Sequence, residues 1–100
     1  MSLPLIVTPE AEEDIAEARA WYNRQRAGLG DDFVDQVDAA LDRICRIPKG
    51  ATEVYPGVRR VVLRRFPYGA FYRVDEDQIA VLAVYHSKRD PRGWQSRMHH

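Results

Sequence analysis

The sequence is poor in the residues that form disulfides and membrane spans. Cys45 is the only cysteine among 100 residues, so an internal disulfide is excluded, and a lone thiol fits a reducing cytoplasm. No apolar run approaches the roughly 20 residues that a membrane-spanning helix requires. The first residues also lack the basic stretch and apolar core of a signal peptide. We therefore expect a cytoplasmic protein that does not contact a membrane.

Familiar catalytic and cofactor motifs are missing as well. The chain has no glycine-rich phosphate loop, no His-Glu-x-x-His pair and no paired-carboxylate motif. Cys45 has no cysteine or histidine at the spacing of a metal site. We interpret it as a small packing residue beside the buried stripe of a helix. The sequence therefore predicts no cofactor and no metal.

Charge is balanced over the whole chain but is divided unevenly along it. Residues 1–57 carry 11 acidic and 6 basic side chains, a net charge of −5, and residues 58–100 carry 4 and 9, a net charge of +5. A neutral chain is poorly suited to non-specific nucleic-acid binding, which depends on many phosphate contacts. The division favours either a charged partner or a basic sheet packed beside acidic helices.

Apolar periodicity predicts a strand followed by two helices. The short apolar run Leu3–Val7 suits a strand. Thr8 then serves as a helix N-cap, with Pro9 at the first helical position. Residues 23–30 are polar and form a turn to a second helix, which Pro48 ends. Two adjacent helices with a short connection form an αα-hairpin.

Three further strands are predicted after the helices, over Val58–Phe66, Ala70–Val74 and Gln78–His86. The last of them is apolar on both faces, which is typical of a strand in the middle of a sheet. The strand at Leu3–Val7 must return to the same sheet or leave as an edge. The residues thus predict the order β-α-α-β-β-β in a single domain that spans residues 1–100.

The most informative segment is Arg59–Arg73, where five arginines are interleaved with four aromatic residues. It is predicted to form a strand, a tight Pro-Tyr-Gly corner and a second strand. Strand alternation places Arg59 and Arg65 on one face, with Arg60 and Arg64 on the other. Arginine pairs recognise carboxylates or phosphates through their bidentate fork. The alternative is internal salt bridging to the acidic helices.

Several short motifs carry a resemblance that covers nearly the whole chain. They are Thr8–Ile15, Ala20-Trp21-Tyr22, Arg60, Arg65–Tyr68, Tyr72-Arg73-Val74, His86–Pro91 and Trp94. In this order they resemble the RelE/ParE superfamily, the toxin halves of bacterial type II toxin–antitoxin modules. The similarity is greatest to the ParE-like branch, whose members are often called plasmid stabilisation proteins.

The resemblance implies an α+β fold, with the helical hairpin packed on a small, twisted, mainly antiparallel four-stranded sheet. It also implies a cognate antitoxin whose C-terminal segment wraps the toxin in a hetero-oligomer. ParE-like members inhibit DNA gyrase by protein–protein binding, whereas RelE-like members are endoribonucleases that cut mRNA on the ribosome, and fold does not separate the two. We expect gyrase inhibition. The alternatives are a RelE-like nuclease and a non-toxic binding module.

Candidate site residues follow from these alternatives. For an acidic antitoxin segment, the predicted partner-binding residues are Arg60, Arg64, Arg65, Tyr68, Arg73, Arg89 and Trp94. A metal-independent nuclease would use His86 as acid or base, with Arg65 and Arg89 on the phosphate. Tyr68 or Tyr85 would then stack on a base. Otherwise His86 is a strand-end residue that holds the tail by hydrogen bonding, and Trp94 either folds back on the sheet or joins the partner surface.

Overall fold

A computed structural model describes residues 3–99 and confirms the predicted α+β class. The helices are α1 (Pro9–Gln25), α2 (Leu29–Arg46) and the short α3 (Arg92–Gln95), followed by a 3₁₀ turn at Ser96–His99. The strands are β1 (Leu5–Val7), β2 (Glu53–Tyr55), β3 (Val58–Val62), β4 (Tyr68–Val74) and β5 (Ile79–His86). They form one sheet in the order β1-β5-β4-β3-β2, in which β1 is parallel to β5 and the other pairs are antiparallel.

The sheet differs from the sequence prediction in strand number and in the end of β3. It has five strands instead of four, because Glu53–Tyr55 pairs with β3 at the edge. β3 stops at Val62, so residues 63–67 form the corner. The predicted alternation of Arg64 and Arg65 across two faces is therefore wrong, since neither residue is in a strand. β1 returns to the sheet as an edge, and β5 lies between β1 and β4.

Thr8 starts α1 and also ties it to the sheet. Its Oγ1 accepts a hydrogen bond from the Ala11 N–H at 3.3 Å and donates one to the Val81 C=O at 2.9 Å. Pro9 follows in the first helical turn, where its missing N–H leaves no hydrogen bond unmade. The helix thus begins where β1 ends and continues along the same edge of β5.

The connection between α1 and α2 is short and closely packed. Gly28 adopts a φ of +89°, a left-handed conformation that favours glycine. Asn23 Oδ1 accepts a hydrogen bond from the Gly30 N–H at 2.7 Å, so α1 caps the first turn of α2. A β-carbon at Gly30 would collide with the Arg19 C=O. The two helices therefore cross here at a distance that only glycine allows.

The sheet is buried on both faces, but by different elements. The hairpin of α1 and α2 covers one face, where the core comprises Ala11, Ala18, Phe33, Val37, Ala40, Ile44, Leu63, Phe66, Ala70, Tyr72, Ile79, Val81 and Val84. The C-terminal residues cover part of the other face, where a smaller cluster comprises Val58, Phe71, Ala80, Leu82, Ala83, Tyr85 and Trp94. The continuous apolar sequence of β5 reflects this double burial.

A β-bulge in β5 changes the direction of its last side chains. Leu82 has no partner in the ladder with β4, since the pairing passes from Ala83 directly to Val81. Val81 and Val84 both face the helices, while Leu82 and Ala83 both face the opposite side. Uninterrupted alternation would have put Val84 on the side away from the helices. The bulge therefore decides which residues near the end of β5 reach each face.

Side chains complete the outer edge of β5 beyond the end of β1. Asp14, which is 7% exposed, accepts a hydrogen bond from the Val84 N–H at 3.0 Å and from the two terminal nitrogens of Arg97 at 2.8 and 3.0 Å. Arg97 also donates to the Leu82 C=O at 3.0 Å. The bonds to Asp14 raise the pKa of the Arg97 guanidinium. This buried pair joins α1, β5 and the C-terminal 3₁₀ turn.

Replacing Asp14 by alanine should lower the free energy of unfolding by about 3 kcal/mol, because the variant leaves the Val84 N–H unpaired and the largely buried Arg97 guanidinium without its carboxylate. For a domain of this size that loss corresponds to a fall in Tm of roughly 12–24 °C. Urea unfolding followed by circular dichroism measures the change.

The control is Asp31→Ala, which removes an exposed ion pair with Arg19 (2.7 Å) and should cost about 1 kcal/mol or less. Equal losses in the Asp14 and Asp31 variants would contradict the role that we assign to the buried pair.

Candidate functional site

The face of the sheet opposite α1 and α2 carries a groove with a volume of 420 Å³, which we call the sheet groove. Its floor is apolar and partly aromatic, and its rim is cationic. The residues that line it are Val54, Arg60, Val62, Pro67, Tyr68, Gly69, Phe71, Tyr85, His86, Ser87, Arg89, Pro91, Trp94 and Gln95. No acidic residue is among them, so within residues 3–99 the groove combines apolar surface with positive charge alone.

The aromatic floor of the groove depends on the C-terminal segment. Trp94 is 3% exposed, and its ring stacks on Phe71 with the centroids 4.5 Å apart. Of the two alternatives for this tryptophan, the structure shows folding back on the sheet. Val62 remains 55% exposed at the open end of the floor. The floor therefore presents accessible apolar surface next to a rigid aromatic stack.

Tyr85 forms the junction between the groove and the C-terminal segment. The Arg89 guanidinium lies 4.1 Å from the centre of the Tyr85 ring, and that of Arg97 lies 5.2 Å from it. A β-carbon at Gly93 would collide with the Tyr85 hydroxyl, so α3 packs directly on this ring. Tyr85 is buried. It does not offer the open ring face on which a nucleotide base could stack.

His86 lies at the end of β5, where it pairs with Tyr68 of β4. Its Nδ1 accepts a hydrogen bond from the Lys88 N–H at 3.0 Å, so the neutral ring carries its proton on Nε2. The ring also meets that of Tyr68 edge to face at 5.2 Å, and burial raises the pKa of the Tyr68 hydroxyl. His86 therefore makes a hydrogen bond to the turn that follows β5, as expected for a strand-end residue that holds the C-terminal tail.

The arginines that the sequence grouped into one partner surface lie on three parts of the fold. Arg60 and Arg89 line the sheet groove. Arg64 and Arg65 line a different hollow, beside α2. Arg73 is bound by Asp75 at 2.7 and 3.1 Å, and these bonds lower the pKa of the Asp75 carboxyl. The residues predicted to bind a partner therefore lie on more than one surface. The same is true of the residues predicted for a nuclease.

Internal salt bridging to the acidic helices accounts for little of this positive charge. Arg65 approaches Asp32 of α2 at 3.9 Å, while Arg60 and Arg64 have no carboxylate within 4.0 Å in the described part of the chain. Arg59 instead donates to the carbonyl oxygens of Lys49 and Ala51, at 3.1 and 2.6 Å. The guanidinium groups of Arg60 and Arg64 are thus available to an external partner.

Sequence reasoning missed Arg43 and Arg46, which line the same hollow as Arg64 and Arg65. They lie three residues apart on α2, in the half of the chain with a net negative charge. Their spacing indicated one helical face, but only the packing of α2 beside the corner after β3 shows that four arginines share one surface.

The described residues hold neither a cluster of metal ligands nor a membrane-spanning helix. Within residues 3–99, no group of three or more histidine, cysteine, aspartate or glutamate side chains could hold a metal ion. None of the helices in that range is long and apolar enough to cross a membrane.

Comparison with known proteins identifies relatives over most of the chain. The family described as "ParE toxin of type II toxin-antitoxin system, parDE" matches residues 5–91. "Toxin ParE2" from two strains of Mycobacterium tuberculosis (CDC 1551 / Oshkosh and ATCC 25618 / H37Rv) is 31% identical over 96 residues, covering 91% of this chain and 88% of the relative.

A solved structure has the same fold. It is described as "Chromosomal ParDE TA system from P. aeruginosa" and superposes with a TM-score of 0.76, at 23% sequence identity, over 84% of this chain and 95% of the other. The fold and the resemblance predicted from the motifs are thereby confirmed. The chain belongs to the ParE toxin family of type II toxin–antitoxin systems.

Proposed function

We propose that this protein inhibits DNA gyrase by protein–protein binding and that a cognate antitoxin neutralises it by occupying the sheet groove. The observation that carries the antitoxin site is the composition of the groove, which has an apolar floor, a cationic rim and no acidic lining residue. A segment that carries both apolar and acidic side chains complements such a surface. The P. aeruginosa structure is described as a toxin–antitoxin system, which supports an antitoxin as the partner.

The two arginines of the rim, Arg60 and Arg89, are positioned to bind carboxylates of a partner. Arg60 is exposed, and its Cγ and Cδ would lie 3.0 Å from a β-carbon at Gly69, so its stem rests across β4 where a glycine leaves space. Arg89 is held by its contact with the Tyr85 ring. Two guanidinium groups on fixed supports lose little conformational entropy when they bind a partner's carboxylates. Acidic residues of the antitoxin would pair with them.

Apolar side chains of the same segment would pack on the floor. Val54 and Val62 are both exposed at the open end of the groove, and Phe71 and Trp94 form the stack beside them. Phe71 and Trp94 are themselves buried and support the floor, so the apolar area that a partner would cover is that of the exposed valines. The floor should therefore supply affinity, and the arginine rim should supply orientation and association rate.

A non-enzymatic mode of action is favoured over RNA cleavage by the arrangement around His86. The His86 Nδ1 is engaged by the Lys88 N–H, and the Tyr85 ring is covered by Arg89. Arg65 lines a different hollow from the one that His86 and Arg89 line. Tyr68, His86 and Arg89 do share the sheet groove, but the two phosphate ligands that the nuclease hypothesis requires are divided between two surfaces.

Reversing the charge of the rim should weaken antitoxin binding. We expect Arg60→Glu to raise the Kd for the cognate antitoxin by roughly 10- to 100-fold, because it removes an attraction and adds a repulsion of similar size. Val62→Asp should act in the same direction by placing a carboxylate on the accessible floor. Isothermal titration calorimetry with the full chain measures both effects.

The matched control is Arg24→Glu, which makes the same charge change at an exposed position of α1 outside the sheet groove. Its Kd should stay close to that of the wild type. If Arg24→Glu weakened binding as much as Arg60→Glu, or if neither groove variant had an effect, the groove would not be the antitoxin site.

Replacing His86 by alanine should leave toxicity and gyrase inhibition intact. The substitution removes one hydrogen bond to the turn and should cost about 1 kcal/mol of stability. The readouts are growth after induction, supercoiling by purified gyrase, and cleavage of mRNA on ribosomes. We expect the wild type and the variant to inhibit gyrase and to leave mRNA uncut.

His86→Asn is the companion variant, because its side chain can still accept a hydrogen bond from the Lys88 N–H. Loss of toxicity and of mRNA cleavage in both folded variants would establish the RelE-like nuclease instead. Harmless expression of folded wild-type protein in the absence of an antitoxin would point to the non-toxic binding module.

A further inference from the structure

A second cationic surface lies between α2 and the corner that follows β3. It is a hollow of 300 Å³, lined by Gln36, Ala39, Arg43, Arg46, Arg64 and Arg65, and we call it the arginine hollow. Four of its six residues are arginines, and none is acidic. The sheet groove shares none of these residues. The arginine hollow is therefore a separate surface with a different composition.

The charge of the arginine hollow is hardly neutralised within the protein. In residues 3–99, Arg43, Arg46 and Arg64 form no ion pair within 4.0 Å, and the Arg65–Asp32 pair reaches 3.9 Å, with both side chains more than 40% exposed. Grouping four like charges is unfavourable when no anion balances them. The arrangement is one that a bound anion would stabilise.

Arg43 and Arg65 each have an unusual structural feature. Arg43 donates from Nη2 to the Val62 C=O at 3.1 Å, and its buried Nε has no hydrogen-bond partner in the described part of the chain. Arg65 has a φ of +68°, a left-handed conformation that is uncommon for an arginine. A buried donor without an acceptor and a strained backbone residue are both features that cluster at binding sites.

The composition of the hollow favours a phosphate over an acidic peptide. Apart from Ala39 it offers no apolar side chain on which a peptide could pack, and it has no aromatic ring on which a nucleotide base could stack. A planar carboxylate fills one guanidinium fork, whereas a tetrahedral phosphate can accept from several forks that approach in different planes. Four arginines from two chain segments can supply several such forks.

The geometry points to the arginine hollow as a phosphate-binding site, with Arg43, Arg46, Arg64 and Arg65 as its ligands. The phosphate group would belong either to a nucleic-acid backbone or to a small phosphate-bearing molecule. A local site of this kind is compatible with the zero net charge of the chain, since it requires one phosphate and not the many contacts of non-specific binding. The inference does not depend on the antitoxin site or on gyrase inhibition.

Side-chain NMR of the full-length protein tests the site directly. We expect sodium phosphate, compared with sodium chloride at equal ionic strength, to shift the Nε–Hε resonances of the four arginines in a saturable manner. The double variant Arg46→Gln/Arg64→Gln should raise the Kd for phosphate by about tenfold or more, because it removes two charge-assisted donors. Both residues are exposed and unpaired, so the variant should melt near the wild-type temperature.

The charge-matched control is Arg24→Gln/Lys88→Gln, which removes two exposed positive charges outside the arginine hollow. Its Kd for phosphate should remain close to the wild-type value. Shifts that do not saturate, or an equal loss in the control, would overturn the proposal. Binding of poly-glutamate that depends on Arg46 and Arg64, without phosphate binding, would overturn it in favour of an acidic protein partner.

A short DNA duplex separates the two sources of phosphate. If the duplex displaces inorganic phosphate, and if this displacement is lost in Arg46→Gln/Arg64→Gln, the ligand is a nucleic-acid backbone. If phosphate and pyrophosphate bind and the duplex does not compete, the ligand is a small phosphate-bearing molecule. Either result supports the site.

Discussion

The buried pair of Asp14 and Arg97 is the contact on which the rest of the structure depends. β1 is too short to satisfy the whole edge of β5, and these two side chains supply the missing hydrogen bonds to Leu82 and Val84. The same contact fixes the C-terminal turn beside the sheet, so that Trp94 can complete the floor of the sheet groove. The protection of the β5 edge and the shape of the sheet groove therefore depend on one interaction.

The two cationic surfaces have different structural origins. The sheet groove exists because β3, β4 and the bulged β5 bring apolar and basic side chains to the face that α1 and α2 leave uncovered. The arginine hollow exists because β3 ends early and its corner meets α2. A surface with an apolar floor suits a peptide, whereas a surface of guanidinium groups alone suits a compact anion. The protein thus has two positively charged surfaces that differ in the apolar area beside the charge, and so in the kind of ligand that suits each.

Local signals in the sequence were sufficient for the presence of α1 and α2, for β5 and for the family, although α1 extends to Gln25 and α2 begins at Leu29, both inside the predicted turn, and α3 was not predicted. The adjacent residues Thr8 and Pro9 indicate where α1 starts. The unbroken apolar run of β5 indicates that this strand is buried on both faces. The burial of Asp14 was not predicted, because this residue follows several other acids near the start of α1 and resembles them in sequence. Its burial depends on contacts between distant residues, and so does the position of Arg43 and Arg64 at one hollow. No local sequence pattern shows such contacts.

The pairing of the first strand with the last has a consequence for the order of folding. The Thr8–Val81 hydrogen bond joins residues 73 positions apart, so the entropy of closing a long loop must be lost before β5 gains its second neighbour. The α1–α2 hairpin is joined by local contacts and can form early. The sheet groove, which requires β5 and Trp94 together, is completed late. From these sequence separations we expect the chain to acquire its helices before it acquires the surface by which we propose that an antitoxin controls it.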